Sequence, residues 1–144
     1  MLISESRVLI VDDMGTMRRV VGNYLRELGF STIIEAAHGE EAWERLQDSG
    51  FDLVISDWTM PMMTGIELLR KVRSKEETKK TPFVLLTVEA DKANIAEALK
   101  YQVDGYLMKP VSFPTLSKKL IDVFKRIDPE MCQDLQVATN KVKI

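Results

Sequence analysis

Cysteine is almost missing from this chain: Cys132 stands alone among 144 residues. No internal disulfide can form, which excludes a cross-linked secreted scaffold and points to a reducing compartment. Long apolar runs are missing too. No stretch approaches the length needed to span a bilayer, and Met1 to Arg7 is too short and polar for a signal peptide. Neither sign of charge is in excess. A net charge of −2 favours neither nucleic acid nor an anionic membrane surface. The sequence also lacks internal repeats, low-complexity tracts and inter-domain linkers. The expectation is a soluble, cytoplasmic, monomeric protein that binds no nucleic acid and inserts into no membrane.

What is present has the balance of a globular protein, with 45% hydrophobic and 29% charged residues. The length suits one ordinary domain that buries about two-thirds of the surface its unfolded chain exposes. One stretch organises the rest: Leu53-Val54-Ile55-Ser56, an apolar β-branched run that stops abruptly at Asp57. A second stretch has the same form, Val8-Leu9-Ile10-Val11 followed by Asp12-Asp13. An acid at the C-terminal end of a buried parallel strand stands where open α/β sheets place their ligand site.

Taken in order, Arg7 to Val11 reads as a strand, and Asp12 to Thr16 as a turn. Met17, Val20, Val21, Tyr24, Leu25 and Leu28 then share one helical face, with Arg18, Arg19 and Arg26 elsewhere and Gly29 as the C-cap. Thr32 to Glu35 is a short strand, Glu40 to Leu46 a helix, and Asp52 to Ser56 the third strand. Ile66, Leu69 and Val72 mark another helix, and Glu76 to Lys80 a charged connection. Phe83 to Thr87 is the fourth strand; Asp91 then caps a helix carrying Ile95, Ala98 and Leu99. Gly105 to Met108 is the fifth strand, and Ser112 with Pro114 just inside opens a helix through Leu116, Leu120, Ile121 and Phe124. Five strands alternate with helices, and their near-continuous apolar runs imply helices on both sheet faces. Residues 1–127 therefore read as the domain, and residues 128–144 as an extension of unassigned role.

All parallel strands end on one edge, which gathers Asp12, Asp13, Asp57, Thr87 and Lys109. If the first and third strands are neighbours, three carboxylates meet there, repel and raise one another's pKa. A hard divalent cation such as Mg²⁺, with oxygen ligands, relieves this. Each residue alone has a plainer role. Asp12-Asp13 could cap a helix, Asp57 serve a turn, Thr87 end a strand, Lys109 lie solvated, and Tyr106 pack half-buried. Their joint placement at strand ends argues for a pocket. His38 has no apparent base partner and reads as a loop residue, the methionines as loop and core filler, and Cys132 as inert.

These residues, in this order, resemble the receiver domain of two-component response regulators over roughly residues 7 to 127. The likeness rests on Asp12-Asp13, Asp57 followed by Met60-Pro61 and Gly65, Thr87, and Lys109-Pro110. Thr16-Met17-Arg18-Arg19, Ser56-Asp57-Trp58, Glu89 and Gly105-Tyr106 are most similar to the stand-alone chemotaxis regulators of that family. The resemblance implies a single-domain, flavodoxin-like (βα)5 fold with a parallel sheet of order 2-1-3-4-5. It implies Asp57 as phosphoacceptor, forming an acyl phosphate. Asp13, Asp57 and the Thr59 carbonyl would hold Mg²⁺ directly, and Asp12 through water. Lys109 would pair with the phosphoryl oxygens, and the Thr87 hydroxyl would move to bond the new group. Tyr106 would follow inward, and the Lys109-Pro110 bond would be cis. Thr59 and Glu89 would border the path of the water that hydrolyses the acyl phosphate. The implied partners are a histidine kinase as donor, a downstream protein such as the flagellar motor switch, and a phosphatase.

The chain also departs from the chemotaxis pattern. Thr59 stands for an asparagine, Val111 for a phenylalanine and Val88 for a smaller residue, and the chain runs past the usual end. These changes bear on partner identity and phosphoryl lifetime. A flavin-binding protein of similar fold would want a hydroxyl-rich phosphate loop where Asp12-Asp13 stands. An aspartyl phosphatase would want a second acid at Thr59. The output is expected to be protein binding rather than turnover of an external substrate. The alternative to a switch is a phosphotransfer intermediate that passes the group to a histidine protein; Thr87 with Tyr106 argues for the switch.

Overall fold

The computed structural model describes residues 1–88 and 92–142. A 3₁₀ turn at Ile3–Glu5 precedes β1 (Arg7–Val11), α1 (Gly15–Leu28), β2 (Thr32–Ala36), α2 (Gly39–Asp48), β3 (Leu53–Asp57) and α3 (Gly65–Ser74). There follow β4 (Phe83–Thr87), α4 (Lys92–Lys100), β5 (Gly105–Met108), α5 (Phe113–Ile127) and α6 (Pro129–Val142). The five strands form one parallel sheet of order β2-β1-β3-β4-β5. This is the expected doubly wound order. The register aligns Val11 with Ser56, Asp57 with Leu86 and Thr87 with Met108. Asp12, Asp57, Thr87 and Lys109 thus come out along one edge.

Strand side chains alternate between faces, and each face builds its own core. Val8, Ile10, Leu53, Ile55, Val84 and Leu86 point to the layer of α1, α5 and α6. Leu9, Val11, Val54, Phe83 and Leu85 point to the layer of α2, α3 and α4. Because both faces are covered, β3 and β4 are buried at every position, and they read in the sequence as unbroken apolar runs. Among the described residues no helix is long and apolar enough to cross a membrane.

Several local expectations change. Val20 lies exposed on α1, while Gly22 is buried instead. The sheet covers a narrower stripe than the six-residue face read from the sequence. Leu99 is exposed on α4, where small Ala98 makes the core contact. His38 is a helix cap rather than a plain loop residue: its Nδ1 accepts from the Glu41 N–H at 3.3 Å. The Asp91 cap lies outside the described residues. Gly29 closes α1 at φ +108°, the left-handed cap expected of glycine.

After α5 the chain turns at Asp128, which accepts from the Met131 N–H, and continues as α6. Met131, Cys132 and Leu135 of α6 join the core with Val21, Leu25 and Leu28 of α1 and Leu120 and Phe124 of α5. Asp134 accepts the Ile3 N–H at 2.9 Å, tying α6 to the 3₁₀ turn. Cys132 is buried, with its thiol 3.6 Å from the Ile121 carbonyl.

Candidate functional site

The pocket forms where β1 and β3, neighbours in the sheet, both end in acid. Asp12 is 2% exposed and Asp57 7%, whereas Asp13 is exposed. One carboxylate oxygen from each of the three lies within 4.8 Å of the others. From the end of β5, the Lys109 ammonium reaches between them, 3.0 Å from Asp12 Oδ2 and 3.1 Å from Asp57 Oδ1. The Lys109-Pro110 bond is cis.

Asp12 is held at every polar atom. Its N–H donates to the Ala36 carbonyl at 3.2 Å, and its Oδ1 accepts the Met14 N–H at 2.9 Å. Its Oδ2 meets Lys109, and its carbonyl accepts from the Arg18 guanidinium at 2.6 Å. Arg18 was not among the site residues read from the sequence. Its signal was available: a long side chain in the first turn of a helix leans back toward the helix N-terminus, here the turn that carries the acid pair.

Gly65 explains how the β3–α3 loop can fold over Asp57. Its N–H donates to the Trp58 carbonyl at 2.8 Å. A Cβ there would collide with the Asp57 carbonyl oxygen and come within 2.7 Å of Leu85. Only glycine admits α3 this close to the end of β3. Thr87, the buried last residue of β4, accepts the Lys109 N–H through its carbonyl at 2.7 Å. Thr59 is exposed on the loop just past Asp57. Tyr106 is half-buried against the α2–α3–α4 core, with the Lys119 ammonium 5.9 Å from its ring centre. Asp12, Asp13, Asp57 and Lys109 therefore converge, with Thr87 and Thr59 alongside. Glu89 lies outside the described residues.

Burial pushes the Asp57 carboxyl above its ordinary value, and the Asp12 charge adds to the rise. The Lys109 contact and the Thr59 N–H oppose the rise without cancelling it. For Lys109, burial pulls the ammonium down, but the Asp12 and Asp57 carboxylates outweigh it and hold it above 10.5. The two shifts have opposite meanings for stability. Lys109 contributes stability that is present below 10.5 and lost as pH rises through its folded value. Asp57 ionises more easily unfolded than folded. Folding therefore loses stability as pH rises from 3.8 through the folded value, and the loss persists at neutrality. Three carboxylates against one ammonium leave excess negative charge in an oxygen-rich cleft. That donor set fits a hard divalent cation, Mg²⁺ above all.

Residues 8–121 match the family model described as the response regulator receiver domain. The chain is 46% identical to chemotaxis protein CheY-3 of Vibrio cholerae serotype O1 over 121 residues, 84% of this chain and 93% of the relative. The solved structure of Vibrio cholerae chemotaxis protein CheY4 superposes with a TM-score of 0.77 at 37% identity, covering 82% of this chain and 98% of that one. The receiver domain of a Pseudomonas aeruginosa PAO1 sensor histidine kinase, solved with magnesium coordinated in its active-site cleft, gives a TM-score of 0.72 at 25% identity. It covers 80% of this chain and 93% of its own. With the match running over most of its length, the chain belongs to the family of response regulator receiver domains.

Proposed function

We propose that this protein is a phosphorylation-activated response regulator that accepts a phosphoryl group on Asp57 from a histidine kinase and switches protein binding, in chemotaxis or motility. The observation that carries the reading is Asp57 at the end of β3, held 3.1 Å from Lys109 in a cleft shared with Asp12 and Asp13. A carboxylate oxygen of Asp57 forms the bond to phosphorus. The P–N bond of the donor phosphohistidine breaks, and its electron pair stays on the imidazole nitrogen. Lys109 pairs with the phosphoryl oxygens as a point charge. Mg²⁺, when bound, neutralises charge on those oxygens; Asp13, Asp57 and the Thr59 carbonyl would hold it, with Asp12 through water. The Thr87 hydroxyl then bonds the phosphoryl group, and Tyr106 follows into the space it leaves. Thr59 and Glu89 border the hydrolytic water.

The relative at 46% identity and the structural neighbour at 37% are both chemotaxis proteins, which supports that pathway over a phosphorelay intermediate. The reading places the protein in the cytoplasm, with a downstream protein such as the flagellar motor switch as target and a phosphatase as a further partner. It makes the protein a phosphoacceptor that catalyses only its own phosphorylation and dephosphorylation. Residues 1–127 are the receiver unit in this reading, with residues 128–144 extending it. Intact mass after treatment with a small phosphodonor and Mg²⁺ tests the assignment. One phosphoryl group is expected on the wild type and none on Asp57→Asn; equal labelling of both overturns it.

A further inference from the structure

The turn between β1 and α1 carries two of the three acids; the Asp12 carboxylate braces it by accepting the Met14 N–H, but the Asp12 carbonyl needs a partner from outside the turn. β1 ends at Val11, so the Asp12 carbonyl lies beyond the regular ladder. At the start of α1 the N-cap position is Met14, which has no side-chain oxygen to cap the helix. One side chain satisfies that carbonyl. Arg18 reaches back from the first turn of α1, donating through a terminal nitrogen to the Asp12 carbonyl at 2.6 Å and through Nε to Glu35 Oε1 at 2.9 Å. Glu35 belongs to β2, the strand beside β1.

We propose that Arg18 is a positioning residue for the metal and phosphoryl pocket: its fork bridges Glu35 of β2 to the Asp12-Asp13 peptide and so sets where the Asp13 carboxylate points. The peptide it grips is the one that launches Asp13, the exposed and least constrained of the three acids. Asp12 has its own side-chain partners in Lys109 and the Met14 N–H. The planar fork matters because it serves two acceptors at fixed angles; a lysine ammonium has equal charge but not that geometry. Groups that orient metal ligands from behind typically change affinity by about tenfold or more when removed.

The inference rests on the assignment of Asp57 and Asp13 to a Mg²⁺-dependent pocket, and its test keeps the two apart. Arg18→Ala, Arg18→Lys and Glu35→Gln are each compared with wild type. In chelator, the Asp13 amide shift reports the Asp12-Asp13 peptide without any metal. Trp58 fluorescence, next to Asp57, then gives the Mg²⁺ dissociation constant, and thermal melts identify any variant that fails to fold. Both Arg18 variants should move the Asp13 amide and weaken Mg²⁺ roughly tenfold, with Glu35→Gln falling between them and wild type. An unmoved Asp13 amide with unchanged Mg²⁺ affinity in either folded Arg18 variant overturns the proposal. Full wild-type affinity in Arg18→Lys overturns it as well, because charge alone would then suffice. If wild type takes no label on Asp57, the functional reading fails, while the Asp13 amide in chelator still decides the brace.

Discussion

Helix α5 enters through a capping box between Ser112 and Thr115, with Pro114 in its first turn, and buries Leu116, Leu120, Val123 and Phe124. Helix α4, on the opposite face, buries Ala98 alone among its described residues and leaves Leu99 59% exposed. α5 is backed further by α6, whose Met131, Cys132 and Leu135 complete the same core. The far end of α4 is tied down by the loop beyond it: the Arg73 guanidinium donates to the Gln102 carbonyl at 2.9 Å and to Asp104 at 3.0 Å, and Asp104 accepts the Phe83 N–H at 2.8 Å. α5 is packed along its length; α4 is anchored at one end and lightly held. Segments with few buried apolar contacts move at low cost. The loose helix follows β4, the strand that ends at Thr87 beside the pocket.

The contrast is broken most severely by cutting into the core that α5 and α6 share. Leu120→Ala and Leu135→Ala, both at fully buried positions, should each cost about 2–5 kcal/mol in denaturant unfolding. A negligible loss for Leu135→Ala would show α6 to be an appendage rather than part of the core. The pocket comes next. Mg²⁺ that binds the native cleft should stabilise it by roughly 1–3 kcal/mol at concentrations about ten to a hundred times Kd. Asp13→Asn should melt higher than wild type in chelator, because repulsion is relieved, and should lose most of the metal-dependent gain. A mutant that keeps the full gain would remove Asp13 from the ligand set.

The smallest stability effect belongs to α4. Leu99→Ala should stay within about 0.5 kcal/mol of wild type. A core-sized loss would mean that α4 is as firmly seated as α5. Thr59→Asn, at an exposed position, should leave the melt unchanged yet speed acyl-phosphate decay, since asparagine supplies an amide to orient water and threonine does not. Slower decay in the variant contradicts that role.

The sequence revealed the sheet because β3 and β4 are buried on both faces and therefore read as unbroken apolar runs. The pocket was legible for a related reason: a carboxylate ending such a run has no packing purpose. Arg18 could be placed near the acid-bearing turn by its position in the first turn of α1, but its partners were not legible, because they are a backbone carbonyl and Glu35 from another strand. Leu99 and Val20 satisfied the helical period but fell outside the narrower stripe that the sheet covers. Helix α6 escaped notice because Met131, Cys132 and Leu135 make a sparse apolar stripe, which gains meaning only against α1 and α5.

The most direct test follows amide chemical shifts with Mg²⁺ as a non-hydrolysable phosphoryl mimic is added. Beyond the pocket, changes are expected along α4 from Ala93 to Leu99, at Tyr106, and in α5 from Ser112 to Leu120, with α6 unmoved. Changes confined to the metal pocket would contradict the account.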